Sequence, residues 1–229
     1  MAKYLWTEDS KAALKEQGAL RELVRMQHLD LQAVERVLAV GVAYSDGAKR
    51  ACAVGIHCWP EGSPIDAVRP VRVSAEVDFP YIPGLLAYRE GPAVCALLDG
   101  LDRMPDFIVF DSQGIAHPRR FGLACHIGVL YGVPTFGLTR TILSGRYADP
   151  ARDDHASLPI YDSKRNSIGL AYRFGANCET VFASPGHLVD LESLRKWLRS
   201  VDAVRYCFPE ALQRAHSQAN SMARQLKNE

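Results

Sequence analysis

No apolar run in this 229-residue sequence approaches the roughly 20 residues that cross a bilayer. A membrane-spanning helix is therefore not expected. Cysteine pairing is equally scarce. The six cysteines, Cys52, Cys58, Cys95, Cys125, Cys178 and Cys207, form no C-x-x-C pair and have no paired histidines nearby. That argues against a zinc site or a disulfide framework, and the thiols read as small buried apolar residues. Charge of one sign is missing too. The formal net charge is +1, whereas proteins that coat nucleic acid carry a larger basic excess. Any basic surface must be local, and nucleic-acid binding would lean on metal, backbone amides and stacking. There is no internal repeat, low-complexity tract or linker. The first residues lack the long apolar stretch of a secretion signal, so a cytoplasmic, monomeric protein is expected, with residues 1–229 forming one domain.

What is present is an ordinary globular composition, 48% hydrophobic and 23% charged. Thr7 can cap a helix from about Glu8 to Met26, with Leu14, Ala19, Leu20, Leu23 and Val24 as its apolar stripe. Arg36–Tyr44, Ala51–Trp59 and Val68–Val77 read as three antiparallel strands. Ser45-Asp46-Gly47 and Pro60-Glu61-Gly62-Ser63-Pro64 are the turns between them. Two prolines and a glycine within Phe79–Gly84 rule out regular structure. A helix is expected through Glu90–Leu101, interrupted at Gly91-Pro92. Asp106–Phe110 and Val133–Leu138 read as short buried strands separated by a helix, Gly122–Tyr131. Val181–Ala183 is a further strand, and Leu188–Leu198 and Pro209–Lys227 are helices. A meander followed by strand–helix–strand units predicts an α/β fold, a mixed sheet flanked by helices.

Asp111 ends the apolar run Phe107–Phe110. Ligands gather beyond the carboxyl ends of strands in open sheets, so an acid there is a candidate metal ligand or base; alone, it more often caps a turn. The loop Asp111–Gly122 adds an amide, His117 and the pair Arg119 and Arg120 just before a helix N-terminus, a combination suited to phosphate. A solvated polar loop would not need so many different hydrogen-bonding groups. Glu90, taken alone, reads as a solvated helix residue, and His187 as a cap or surface residue.

Four segments together carry a resemblance. Phe79-Pro80-Tyr81-Ile82-Pro83-Gly84-Leu85-Leu86-Ala87-Tyr88-Arg89-Glu90-Gly91-Pro92 is one. Phe110-Asp111-Ser112-Gln113-Gly114-Ile115-Ala116-His117-Pro118-Arg119-Arg120-Phe121-Gly122-Leu123-Ala124 is the second. Val133-Pro134-Thr135-Phe136-Gly137 and Ser184-Pro185-Gly186-His187 complete it. From about Ala12 to Leu198 the chain resembles the endonuclease V family.

The resemblance implies a ribonuclease H-like fold and a metal-dependent nuclease acting on inosine in DNA or RNA. Such an enzyme cuts the second phosphodiester on the 3′ side, with Mg²⁺ as cofactor and Mn²⁺ as a substitute. Tyr81, Ile82 and Pro83 would be a wedge that fills the gap left by the flipped base. Glu90, Asp111 and His187 would hold metal, with Arg140 as a further catalytic residue. Gly84, Leu86, Ser112, His117 and Gly122 would form the base pocket, and Arg119 and Arg120 would contact phosphate. An apolar wedge offsets part of the few kcal/mol lost on flipping, and carboxylates suit Mg²⁺.

The pattern departs from the family at three positions. Gly41 stands where the family has a metal-binding Asp, Ser112 where it has Gly, and Arg140 where it has Lys. Glycine supplies no side-chain ligand. The expectations are weak cleavage with Mg²⁺, more with Mn²⁺, and restoration by Gly41→Asp. The alternatives are a homologue that binds inosine-containing strands but cuts slowly or not at all, and a recruited enzyme acting on a nucleotide-like small substrate.

Overall fold

The computed structural model describes residues 4–45, 47, 49–58, 70–201 and 207–226. Asp46, the Pro60–Pro64 turn and the ends of the second and third expected strands at Trp59 and Val68 lie outside the described residues.

The strands are β1 (Val37–Ser45), β2 (Arg50–His57), β3 (Val71–Glu76), β4 (Phe107–Phe110), β5 (Thr135–Thr139), β6 (Ser157–Tyr161), β7 (Ser167–Tyr172) and β8 (Val181–His187). They form one eight-stranded sheet in the order β3-β2-β1-β4-β5-β8-β7-β6. The meander pairs antiparallel as expected, and β4 and β5 add in parallel beside β1. The β6–β7 hairpin was not foreseen. Pro159 sits inside β6, and proline is tolerated in a strand only at an edge, which is where β6 lies.

Among the described residues, five α-helices flank the sheet: α1 (Ser10–Arg21), α2 (Ala87–Asp99), α3 (Leu123–Tyr131), α4 (Leu191–Ser200) and α5 (Glu210–Gln225). Helix α1 is capped by Asp9, whose carboxylate accepts the Ala12 N–H at 2.7 Å, so Thr7 is not the cap. Its stripe also differs. Ala13 and Gln17 are buried, whereas Leu14 and Leu23 are exposed. Helix α2 runs through Gly91-Pro92 without a break. Buried residues on both sides of Pro92 hold the helix, and Gly91 lets the Trp6 ring lie against it, where a Cβ would fall 2.0 Å from that ring.

Alternation along β1 divides the core. Leu38 and Val40 face α2 and α3. Ala39 and Ala43 face α4 and α5, where Trp197, Leu212, Ala215, Ala219 and Ala223 pack. Contrary to the reading of isolated thiols, Cys178 and Cys207 form a disulfide, tying the turn before β8 to the residues that open α5. Among the described residues no helix is long and apolar enough to cross a membrane.

Candidate active site

The site lies beyond the carboxyl end of β4, beside the middle of β1. Val40 pairs with Phe110, and the Asp111 N–H donates to Val40 O at 3.1 Å, so Gly41 and Asp111 sit side by side. Asp111 emerges on the α5 side of the sheet, where its Oδ2 lies 2.9 Å from His216 Nδ1. That bond and the Asp111 charge raise the His216 pKa, against the opposing effects of burial and Arg140.

Glu90 arrives from the other face. It sits in the first turn of α2, is 7% exposed, and accepts from the Tyr44 hydroxyl at 3.2 Å. Burial pushes its pKa up to about 8. The Tyr44 bond lowers it, Asp111 raises it, and Arg89 and His216 lower it. Two carboxylates that feel each other's charge therefore meet at the strand ends, one from each side of the sheet.

Sequence reasoning missed His216 and named His187 instead. His187 lies elsewhere. It ends β8 opposite Thr135, at the start of β5, and its N–H donates to Thr135 Oγ1 while its Nδ1 accepts the Arg25 N–H. Glu90 and Asp111 lie toward the other end of β5. Phe110 pairs with Gly137, so Asp111 stands level with Leu138, three positions along β5 from Thr135, about 10 Å at strand rise. His187 therefore stands apart from Glu90 and Asp111. The signal for His216 was present in α5, where Leu212, Ala215, Ala219 and Ala223 recur at helical spacing and seat the helix on the sheet, bringing His216 over β1.

Gly41 explains how α5 comes so close. A Cβ there would stand 2.5 Å from His216 N and 2.8 Å from Ala215 C, so the helix backbone occupies the space a side chain would need.

Two adjoining cavities open beside the acids. One of about 350 Å³ is lined by Asp111, Arg140, Gln213 and His216 among others. Arg140 Nη2 donates to Gln213 Oε1 at 2.7 Å, and its guanidinium lies 4.5 Å over Phe208. The second, of about 170 Å³, is lined by Tyr81, Ile82, Pro83, Gly84, Leu86, Ser112, His117 and Gly122 together with Leu143. Leu86, Ser112 and Gln113 line both, so the two cavities share a wall. Tyr81 is 72% exposed at the rim. Burial and the neighbouring Arg119 charge lower the His117 pKa to about 4, which keeps the ring neutral, and its Nδ1 accepts the Arg119 N–H.

The two arginines expected at phosphate are held by the protein. Arg120 Nη1 pairs with Asp162 Oδ2 at 2.6 Å. Arg119 Nε donates to Gln17 Oε1, and its Nη2 lies behind Gly84, whose φ is +80°. Gln17, which sequence reasoning also missed, is buried on α1 and donates to Gly84 O and Phe121 O. It fixes the Tyr81–Gly84 loop to the loop that opens α3.

Among the described residues, no group of three or more His, Cys, Asp or Glu is arranged to hold a metal ion. Glu90 and Asp111 nevertheless fit a hard dication. They are oxygen donors in mutual repulsion, and Mg²⁺ is commonly held by one or two carboxylates, with water and substrate phosphate completing the shell. They do not form an all-protein cage.

Comparison with known proteins identifies the family. The endonuclease V family model matches residues 18–217, a span that includes His216. An endonuclease V from Streptomyces avermitilis is 40% identical over 182 residues, covering 80% of this chain and 78% of that protein. The crystal structure of the endonuclease V from Streptomyces avermitilis superposes with a TM-score of 0.85 at 34% identity, covering 96% of each chain. The endonuclease V of Ciona intestinalis, solved with a 24mer DNA containing an inosine followed by a ribo-adenosine, shares the fold at a TM-score of 0.79 and 21% identity, over 95% of this chain and 100% of that one. The fold is therefore ribonuclease H-like, and the chain belongs to the endonuclease V family.

Proposed function

We propose that the protein binds inosine-containing nucleic acid, with the base in the cavity behind Tyr81 and the second phosphate on its 3′ side beside Asp111, Arg140 and His216. The observation that carries this reading is the shared wall between the two cavities, which suits a base and the backbone that continues from it on the same strand. Tyr81, Ile82 and Pro83 form the wedge. The flanking prolines stiffen their loop and reduce the entropy lost on binding. Neutral His117 and the backbone around Gly84 and Gly122 offer hydrogen bonds to the edge of the base. Arg140, steadied by Gln213 and Phe208, supplies positive charge to the phosphate. His216, kept protonated more readily by Asp111, is a proton donor at the same place.

The reaction is hydrolysis of the second phosphodiester on the 3′ side, in DNA or RNA. Glu90 and Asp111 would hold Mg²⁺, which when bound supplies activation of water and neutralises charge at the phosphate. Gly41 favours a second reading for the rate. With α5 seated on it, this position contributes no ligand, and the protein cuts slowly while binding well. Mn²⁺, which accepts imidazole more readily, should support more turnover than Mg²⁺.

The test is incubation with single-stranded deoxyinosine DNA and inosine RNA, each beside its unmodified counterpart, in chelator, Mg²⁺ and Mn²⁺. Preferential binding of the inosine strands, weakened by Tyr81→Ala more than binding of unmodified strands, is expected. Equal binding of modified and unmodified strands would overturn the reading, and fast Mg²⁺-dependent cleavage would overturn the slow-cutting variant of it.

A further inference from the structure

Downstream of Arg140 the chain leaves the site along its floor and wall. Arg140 and Thr141 line the phosphate cavity, and Leu143, itself exposed, lines the base cavity. The segment then joins the edge of the sheet. Arg146 and Tyr161 exchange both backbone hydrogen bonds, at 2.8 Å each. Residues paired in this way project their side chains to the same face. A third cavity of about 550 Å³ opens there, lined by Arg146, Tyr161, Asp162, Ser163 and Arg165.

The charges in this cavity are not balanced. Its carboxylate, Asp162, is taken up by Arg120 and by the Lys164 and Asn166 N–H groups. Arg146 and Arg165 have no acidic partner among the described residues, and Lys164 beside them is exposed. Tyr161 stands 44% exposed between them. Among the described residues no side-chain hydrogen bond or ion pair uses Arg146, Tyr161 or Arg165. An exposed aromatic flanked by free guanidiniums is what single-stranded nucleic acid requires, since bases stack on the ring and phosphates meet the cations.

We propose that Arg146, Tyr161 and Arg165 form a track for the single strand flanking the base held in the pocket. This rests on the reading of the pocket given above. From Leu143 to Arg146 the chain spans at most about 10 Å. At the roughly 3.4 Å rise of a stacked strand, that distance is about three nucleotides. The track therefore engages nucleotides on one side of the inosine and leaves the other side untouched.

Binding in chelator, which prevents cutting, tests it. The probes are a short inosine oligonucleotide and versions extended by about four nucleotides at the 5′ end, the 3′ end or both. Wild type should gain affinity from one extension. The Arg146→Ser/Arg165→Ser variant should bind the short probe as wild type does and lose roughly tenfold on the extended probe. Its salt dependence should also be shallower by about 1.4, the value for two phosphate contacts to a single strand. Tyr161→Ala should lose affinity on the same probe, and Arg146→Lys should keep the salt dependence. Equal thermal melts exclude misfolding, because these side chains are on the surface. Equal losses on short and extended probes, or none on either, would overturn the track, as would a change in oligomeric state with binding intact. If wild type shows no preference for inosine but the variants still lose affinity for unmodified strands, the track stands and the pocket reading falls.

Discussion

Placing a side chain at Gly41 should lift α5 rather than rebuild a metal site. A Cβ at this position would lie 2.5 Å from His216 N and 2.8 Å from both Ala215 C and His216 Cα. Carbon contacts are comfortable at about 3.5–4.0 Å, so the helix would have to rise by about 1 Å. The obstacle is backbone, which cannot rotate aside as the end of a side chain can. Overpacking a core costs about 1–3 kcal/mol, and a rigid neighbour puts Gly41→Ala in the upper part of that range. For a domain of this size that is a fall in Tm of roughly 4–12 °C. The same movement draws His216 away from Asp111, now 2.9 Å apart, and Gln213 away from Arg140. Gly41→Asp, expected from sequence to restore cleavage, should therefore be less stable than Gly41→Ala and no more active than wild type. It also adds a third carboxylate beside Asp111. Gly18→Ala, on a helix face where a Cβ meets nothing within 4 Å, is the control and should stabilise slightly. Thermal melts and a cleavage assay in Mn²⁺ decide the matter. If Gly41→Ala melts with the wild type, or Gly41→Asp cuts faster, the close seating of α5 is refuted.

Glu90 should make stability depend on pH. Its folded pKa, about 8, lies above its unfolded value, so the folded state binds the extra proton between about 4.5 and 8. Stability should therefore fall as pH rises through that window and level off above it, by an amount of the order of several kcal/mol. Glu90→Gln should flatten the profile and be the more stable protein at pH 9. Added Mg²⁺ or Mn²⁺ should recover wild-type stability at high pH and leave the Gln variant unmoved; a metal response by both would place the ion elsewhere. Reducing the Cys178–Cys207 bond, which spans 29 residues of sequence, should cost about 3–4 kcal/mol by loss of the constraint on the unfolded chain. A melt unchanged by dithiothreitol would contradict it. Gln17→Leu strands two carbonyls and the Arg119 guanidinium. It should cost about 2–4 kcal/mol and blunt discrimination of inosine, since each unpaired buried group costs about 1–3 kcal/mol. Unchanged discrimination would mean that the Tyr81–Gly84 loop does not need this anchor.

The sequence by itself determined the meander, the buried strands before Asp111 and around Phe136, and the irregular Tyr81–Gly84 loop. Alternation, apolar runs and proline placement act over a few residues and need no knowledge of what packs against them. Tertiary structure decided the partners. His187 and His216 are both histidines near the ends of elements, and only the register of β5 against β8, with α5 folded back over β1, puts one at each end of the sheet. Arg119 and Arg120 look identical in a polar loop. Their engagement by Gln17 and Asp162 depends on segments 102 and 42 residues away. Gly41 reads locally as a lost ligand, but in the fold it is the point where a helix backbone rests on a strand. A local pattern reports whether a residue will be buried. Which charge it then meets depends on crossovers and registers that no window of neighbouring residues contains.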